Sequence, residues 1–192
     1  MRFLLVLSAF VLAGCASTQP AAKDGKATAT VETQPEKAPE GTHPIAEKGG
    51  PPMEPFSLKR SEGGMYRSSV DGGKVVMISF WATWCGPCKT ELERMDPVYR
   101  DLKDRGFEYL AVSTDTAETV AEVRSYIRSS GYAYPVLLDT TGAMLAQHNP
   151  RGDLPFYILV NRKGQIVEKH QGFKPGDEIG LRAKVEALLE AN

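Results

Sequence analysis

Thiols and imidazoles are scarce in this sequence, which has three cysteines and three histidines in 192 residues. A structural zinc site normally takes four nitrogen or sulfur ligands. Beyond the close pair Cys85 and Cys88 the chain offers only His43, His148 and His170, so no metal or other cofactor is expected. A surplus of positive charge is missing as well. The 23 basic residues face 24 acidic ones, which leaves no basic stripe for nucleic acid and predicts no polyanionic partner. No internal repeat is apparent, and the one leader-like apolar run, residues 3–13, falls short of the about 20 residues a spanning helix needs. From Ala16 to Pro52 Leu, Phe, Tyr and Trp are absent, while Pro20, Pro35, Pro39, Pro44, Pro51 and Pro52 punctuate a mix of Ala, Thr, Glu and Lys. Such a stretch cannot bury enough apolar surface to offset its ordering entropy.

The start of the chain is organised for export. Arg2 precedes the apolar run, and small residues lead up to Cys15, the layout of a signal peptide. The block Leu12-Ala13-Gly14-Cys15 resembles the lipobox of bacterial lipoproteins, in which the cysteine is lipidated on sulfur and becomes the new N-terminus. Residues 1–14 are thus expected to be removed, with Cys15 as the lipidation site holding the protein at the membrane; two or more acyl chains give stable anchoring. Residues 15–52 read as a lipidated N-terminus and disordered tether, roughly 35 Å across as a coil. Ala16 and Ser17 follow the cysteine with no Asp. In Gram-negative lipoproteins that pattern resembles export to the outer rather than the inner membrane, and the expected location is the periplasmic face of the cell envelope.

Residues 53–192 are enough for one core and one domain. Residues 74–81 (KVVMISFW) form a nearly continuous apolar run of strand length, as expected for a strand buried on both faces. It leads directly into Trp84-Cys85-Gly86-Pro87-Cys88. Leu92, Met95, Val98, Tyr99 and Leu102 then recur at helical spacing, so a helix is predicted from the cysteine motif to before Gly106. Residues 107–113 read as a buried strand, 117–129 as a helix with Val120, Val123 and Ile127 inward, and 135–138 as a short strand. Residues 155–160 and 165–170 flank Asn161-Arg162-Lys163-Gly164 as a hairpin. Leu181, Val185, Leu188 and Leu189 mark a closing helix. Strand and helix alternation followed by a hairpin and a helix implies an α/β architecture with a central mixed sheet flanked by helices.

Cysteines placed at a strand-to-helix junction are expected to be reactive. The first turn of a helix has unpaired backbone N–H groups and the positive end of the macrodipole, and both favour thiolate over thiol. Cys85 would sit at that end as the nucleophile, with Cys88 in the first turn as its partner. Pro87 suits a helix start, where its missing N–H costs nothing. A depressed thiol pKa and attack through a mixed disulfide follow. A purely structural bridge is disfavoured, since closing so short a loop constrains the unfolded chain very little.

The segment Phe80-Trp81-Ala82-Thr83-Trp84-Cys85-Gly86-Pro87-Cys88 resembles the active site of thioredoxin-fold proteins, and the lipid-anchored, exported setting is similar to thiol-disulfide reductases of the TlpA and ResA type. The resemblance covers most of residues 53–192. It implies a thioredoxin-like fold with an extra βα insertion after the active-site helix, matching residues 107–129. It implies a membrane-anchored oxidoreductase that reduces disulfides of exported proteins, apocytochrome c among them, fed by a transmembrane electron donor of the DsbD or CcdA type. Residues Gly152 to Val160 resemble the family segment in which a cis-proline starts a strand facing the dithiol, so Pro155 is expected cis, with Leu154, Pro155 and Trp84 contacting substrate. Glu91 matches a carboxylate that tunes the dithiol in the ResA type, where an ionised neighbour raises thiol pKa values and a protonated one relays a proton.

The sequence departs from the pattern in two places. Ser79 stands where ordinary thioredoxins carry a buried Asp, which leaves more of the proton handling to Glu91. The helix proline comes late, at Pro97, where a kink is expected. His148 and His170 read as surface residues. Two other function classes remain open at this level. A peroxidase of the peroxiredoxin kind needs a Thr-x-x-Cys pattern with a preceding Pro, whereas here Thr83 is one place too close and Ile78 occupies the Pro position. A non-catalytic thioredoxin-fold binding module would not need both cysteines.

Overall fold

The computed structural model of the protein describes residues 49–68 and 72–191. The expected signal peptide, the expected lipidation site Cys15 and the expected tether up to residue 48 lie outside them. A single seven-stranded mixed sheet has the order β2-β1-β5-β4-β3-β6-β7. At its centre β3 (Val75–Trp81) runs parallel to β4 (Phe107–Ser113), and β4 runs parallel to β5 (Val136–Leu138). On the other side β3 pairs antiparallel with β6 (Phe156–Val160), which forms the expected hairpin with β7 (Ile166–Gln171).

All seven residues of β3 are buried, and the period of two along the strand divides them between the two faces. Val75, Met77 and Trp81 join one cluster with Cys85, Cys88, Leu92 and Met95 of helix α1 (Gly86–Leu102) and Leu181, Val185, Leu188 and Leu189 of α4 (Asp177–Glu190). Helix α2 (Val120–Ser130) contributes Val123 to that cluster, with Val120 and Ile127 packed partly buried against it. Val76, Ile78 and Phe80 face the opposite cluster with Leu110, Ile158 and, from the short helix α3 (Ala143–His148), Met144 and Leu145. The dithiol therefore belongs to one of two cores separated by the sheet.

The expected strands and helices are present, with ends that match or shift by up to three residues. Residues 107–129, where the extra βα unit is expected, form β4 and α2, and β4 lies at the sheet centre between β3 and β5. Helix α1 continues through Pro97, and a short 3-10 turn, Lys103–Arg105, carries the chain to Gly106, whose φ of 99° closes the helix in the left-handed region. Three elements carry too little sequence signal to read: α3, and the hairpin of β1 (Ser57–Arg60) and β2 (Met65–Arg67), which pairs onto β5. Ordered pairing begins ahead of Met53. Gly50 N donates to Ile166 O at 3.0 Å, Ile166 N to Pro51 O at 3.0 Å, and Met53 N to Gly164 O at 2.8 Å.

Candidate active site

The apolar run of β3 ends at Trp81, and a tight turn follows in which Cys85 N donates to Ala82 O at 3.0 Å. Cys85 is the N-cap of α1, with extended backbone, and Pro87 occupies the first turn as its missing N–H allows. Cys85 and Cys88 form a disulfide with their Cα atoms 5.3 Å apart. Cys88 N donates to Cys85 Sγ at 3.2 Å. That amide is one of the unpaired donors of the helix start, and in the reduced protein it remains available to a thiolate. The first turn of α1 has no acidic residue, so nothing there offsets the positive end of the helix dipole. Cys85 keeps 5% of its surface exposed and Cys88 none. An incoming disulfide can reach only the first sulfur, in keeping with the nucleophile read from the sequence.

Glu91 lies one turn after Cys88 and is fully buried. Taken alone, a Glu on an amphipathic helix belongs in solvent; here the helix turns it inward. Ser79 Oγ donates to Glu91 Oε1 at 2.5 Å, and Tyr109 OH donates to the same oxygen at 3.2 Å. Oε2 has no partner among the described residues. Burial pushes the Glu91 carboxyl up to about 7, against the lowering effect of the Ser79 and Tyr109 bonds and with a further push from Asp177. At neutral pH it holds and releases a proton with little bias. Tyr109 is itself pushed well above its ordinary range by burial and by Glu91, so it stays a donor. Ser79, read from sequence only as a lost acceptor, is thus the closest hydrogen-bond partner of Glu91, and Tyr109 is a partner that sequence alone does not disclose.

The Leu154–Pro155 peptide bond is cis. Leu154 and Pro155 line a groove of about 670 Å3 together with Pro87, Tyr157, His170 and Phe173. Pro87 lies between the two cysteines, so the groove opens beside the dithiol. Trp84 is 76% exposed next to Cys85. The sequence expectations for Cys85, Cys88, Pro87, Leu154 and Pro155 therefore converge in one place. His170 is exposed and stacks on Tyr157 with ring centroids 5.3 Å apart. His148 differs from the surface reading, being half-buried at the end of α3, with burial first and Lys169 second lowering its pKa. Among the described residues there is no cluster of three or more His, Cys, Asp or Glu able to hold a metal.

Comparisons with known proteins agree with this geometry. The chain is 34% identical over 113 residues to "Thiol-disulfide oxidoreductase ResA" of Bacillus subtilis, a match covering 59% of this chain and 62% of the relative. It spans about three fifths of the length of such relatives. Among solved structures, a putative thiol:disulfide interchange protein DsbE from Chlorobium tepidum superposes with a TM-score of 0.65 at 27% identity, covering 74% of this chain and 98% of that one. The exposed lipoprotein thioredoxin Etrx1 of Streptococcus pneumoniae superposes with a TM-score of 0.57 at 28% identity, covering 68% and 98%. The AhpC/TSA family model matches residues 50–183, the span that carries the sheet, the dithiol and the groove. With its thioredoxin-like fold and its disulfide at the head of α1, the chain belongs to the AhpC/TSA family.

Proposed function

We propose that the protein is a membrane-anchored, extracytoplasmic thiol-disulfide oxidoreductase that reduces disulfides of exported proteins. The observation that carries this reading is the Cys85–Cys88 bridge at the start of α1, with the Cys88 amide on Cys85 Sγ. In the reduced enzyme the Cys85 thiolate attacks a substrate disulfide. One substrate sulfur bonds to Cys85 and the other leaves as a thiolate. Glu91 takes the proton of the Cys88 thiol, and Cys88 attacks Cys85 Sγ, expelling the second substrate thiolate. The substrate gains two electrons and the enzyme ends as the disulfide. Leu154, Pro155 and Trp84 hold the substrate chain beside the nucleophile.

The Gly-Pro pair between the cysteines resembles reducing thioredoxins, near about −270 mV, rather than strong oxidants near about −120 mV. Regeneration then needs an electron source across the membrane, for which a donor of the DsbD or CcdA type fits the resemblance. The lipobox-like Leu12-Ala13-Gly14-Cys15 supports lipidation at Cys15 and with it a location at the periplasmic face, and the small residues after it favour the outer membrane. Exported apocytochrome c is one substrate of suitable chemistry.

Replacing Cys88 by Ser blocks resolution. In cells the C88S protein should accumulate disulfide-linked to its substrates, which reducing gels and mass spectrometry then identify. Equal trapping by a variant lacking Cys85 would overturn the assignment of the nucleophile.

A further inference from the structure

Asp115 lies two residues beyond the end of β4, in the connection to α2, and is only 3% exposed. Its bonding partners are neutral. Thr83 N donates to Oδ2 at 3.0 Å, Thr83 Oγ1 donates to Oδ1 at 2.5 Å, and Ser113 Oγ donates to Oδ2 at 2.9 Å. A buried carboxylate satisfied by hydroxyls and an amide carries a desolvation cost that such bonds offset only in part, so stability alone is a poor reason to keep it. What it grips is informative. Thr83 is in the turn between β3 and α1, one residue after Ala82, whose carbonyl accepts from Cys85 N at 3.0 Å. The neighbouring Thr114 adds to the grip, donating from N to Trp81 O at 2.9 Å and from Oγ1 to the same oxygen at 3.2 Å. Residues 81–83, the approach to the nucleophile, are therefore fastened on one side by two consecutive residues of the connection between β4 and α2.

We infer that Asp115 is a positioning residue for Cys85: by clamping the amide and hydroxyl of Thr83 it fixes the turn that holds Cys85 Sγ against the Cys88 amide. Cys85 is a nucleophile only while its sulfur stays at the helix start, where the amide and the dipole favour thiolate. Helix α1 fixes the amide, because Cys88 is within it. The sulfur is fixed by the N-cap backbone, and the N-cap backbone is set by the turn before it. The connection between β4 and α2 thus reaches the chemistry through Asp115 without touching the sulfurs. The bidentate arrangement suits the task, since two donors of one residue on two oxygens of one carboxylate leave Thr83 no freedom to rotate.

This inference rests on the dithiol reading above, and the test separates the two. Full-length protein carrying Cys88→Ser, which leaves Cys85 as the attacking thiol, is reacted with glutathione disulfide at neutral pH. Thr83→Val, which removes one of the two bonds and no charge, is expected to slow the attack by about three- to tenfold, the worth of one hydrogen bond expressed as a rate. Thr83→Ser keeps both donors and should restore the parent rate. Asp115→Asn should slow the attack at least as much as Thr83→Val. Rates unchanged in Thr83→Val and Asp115→Asn, with only a lower Tm, would show a purely structural Asp115 and overturn the inference. So would faster attack, the result of removing a nearby negative charge without loosening the turn. Should the Cys88→Ser parent itself fail to react, the dithiol reading falls, and the positioning role with it.

Discussion

Glu91 shows how one buried side chain ties the chemistry of the site to its pH range. Because burial raises its pKa from 4.5 to about 7, the folded protein holds a proton there that the unfolded chain has released. Between those two values the native state binds more protons, so this group's contribution to stability is full below 4.5 and is lost as pH rises through about 7. The shift corresponds to roughly 3 kcal/mol, an order-of-magnitude figure. Glu91→Gln keeps the shape and cannot ionise. Urea unfolding of the two oxidised proteins should show the variant gaining on wild type as pH rises across that window and holding a constant difference above it. A difference independent of pH would mean that Glu91 titrates in the fold as it does in the unfolded chain, unshifted by burial. The same substitution removes the proposed proton acceptor for Cys88. Resolution of the mixed disulfide should slow by about 100-fold, in line with loss of a general base, whereas the first attack by Cys85 should not slow.

At the scale of elements, the junctions on either side of α1 place the cysteines. Upstream, the turn after β3 delivers Cys85 to the N-cap. Downstream, Gly106 closes the helix and its 3-10 extension with a φ of 99°, and its carbonyl accepts from Val75 N at 3.0 Å, where β3 begins. A Cβ at Gly106 would meet nothing closer than 3.8 Å, so steric space is not the obstacle. The left-handed backbone is, at about 1–2 kcal/mol for a side-chain-bearing residue. Gly106→Ala should lose that much stability in urea unfolding while leaving the exchange rate of the dithiol unchanged, since the helix start is 20 residues away. Tyr134 secures α1 in its middle, its hydroxyl donating to Leu92 O at 2.9 Å while its ring meets that of Tyr109 at 4.6 Å. Glu91 is thereby held both by its carboxylate and, through Leu92, by the backbone beside it.

For the whole molecule, the sheet divides the interior into two cores with different duties. Leu110 is fully buried in the core away from the cysteines, while Leu92 is fully buried in the core that includes them. Leu→Ala at either position should cost about 2–5 kcal/mol by transfer and cavity terms together. Leu110→Ala is expected to lower stability alone. Leu92→Ala, one residue from Glu91 and on the helix that carries Cys88, should also change the rate of exchange with glutathione disulfide. Equal rates in both variants would show that the site is insensitive to the packing beneath it.

The sequence by itself determined where the redox pair is, that it sits at a strand-to-helix junction, and the order of the central strands and helices along the chain. Those features are local: an apolar run, a helical spacing and a proline in the first turn are set by neighbours a few residues apart. The short elements β1, β2 and α3 escaped because three to six residues hold too little periodicity to read, and their existence depends on pairing and packing with distant strands. Only the tertiary structure decided the company of Glu91. Ser79 and Tyr109 come from β3 and β4, 12 and 18 positions away, and whether a helical Glu is solvated or buried depends on what the sheet places over it. The grip of Asp115 on Thr83 spans 32 positions. A spacing in sequence can announce a dithiol, but the burial that sets its proton chemistry arises only when the strands stand side by side.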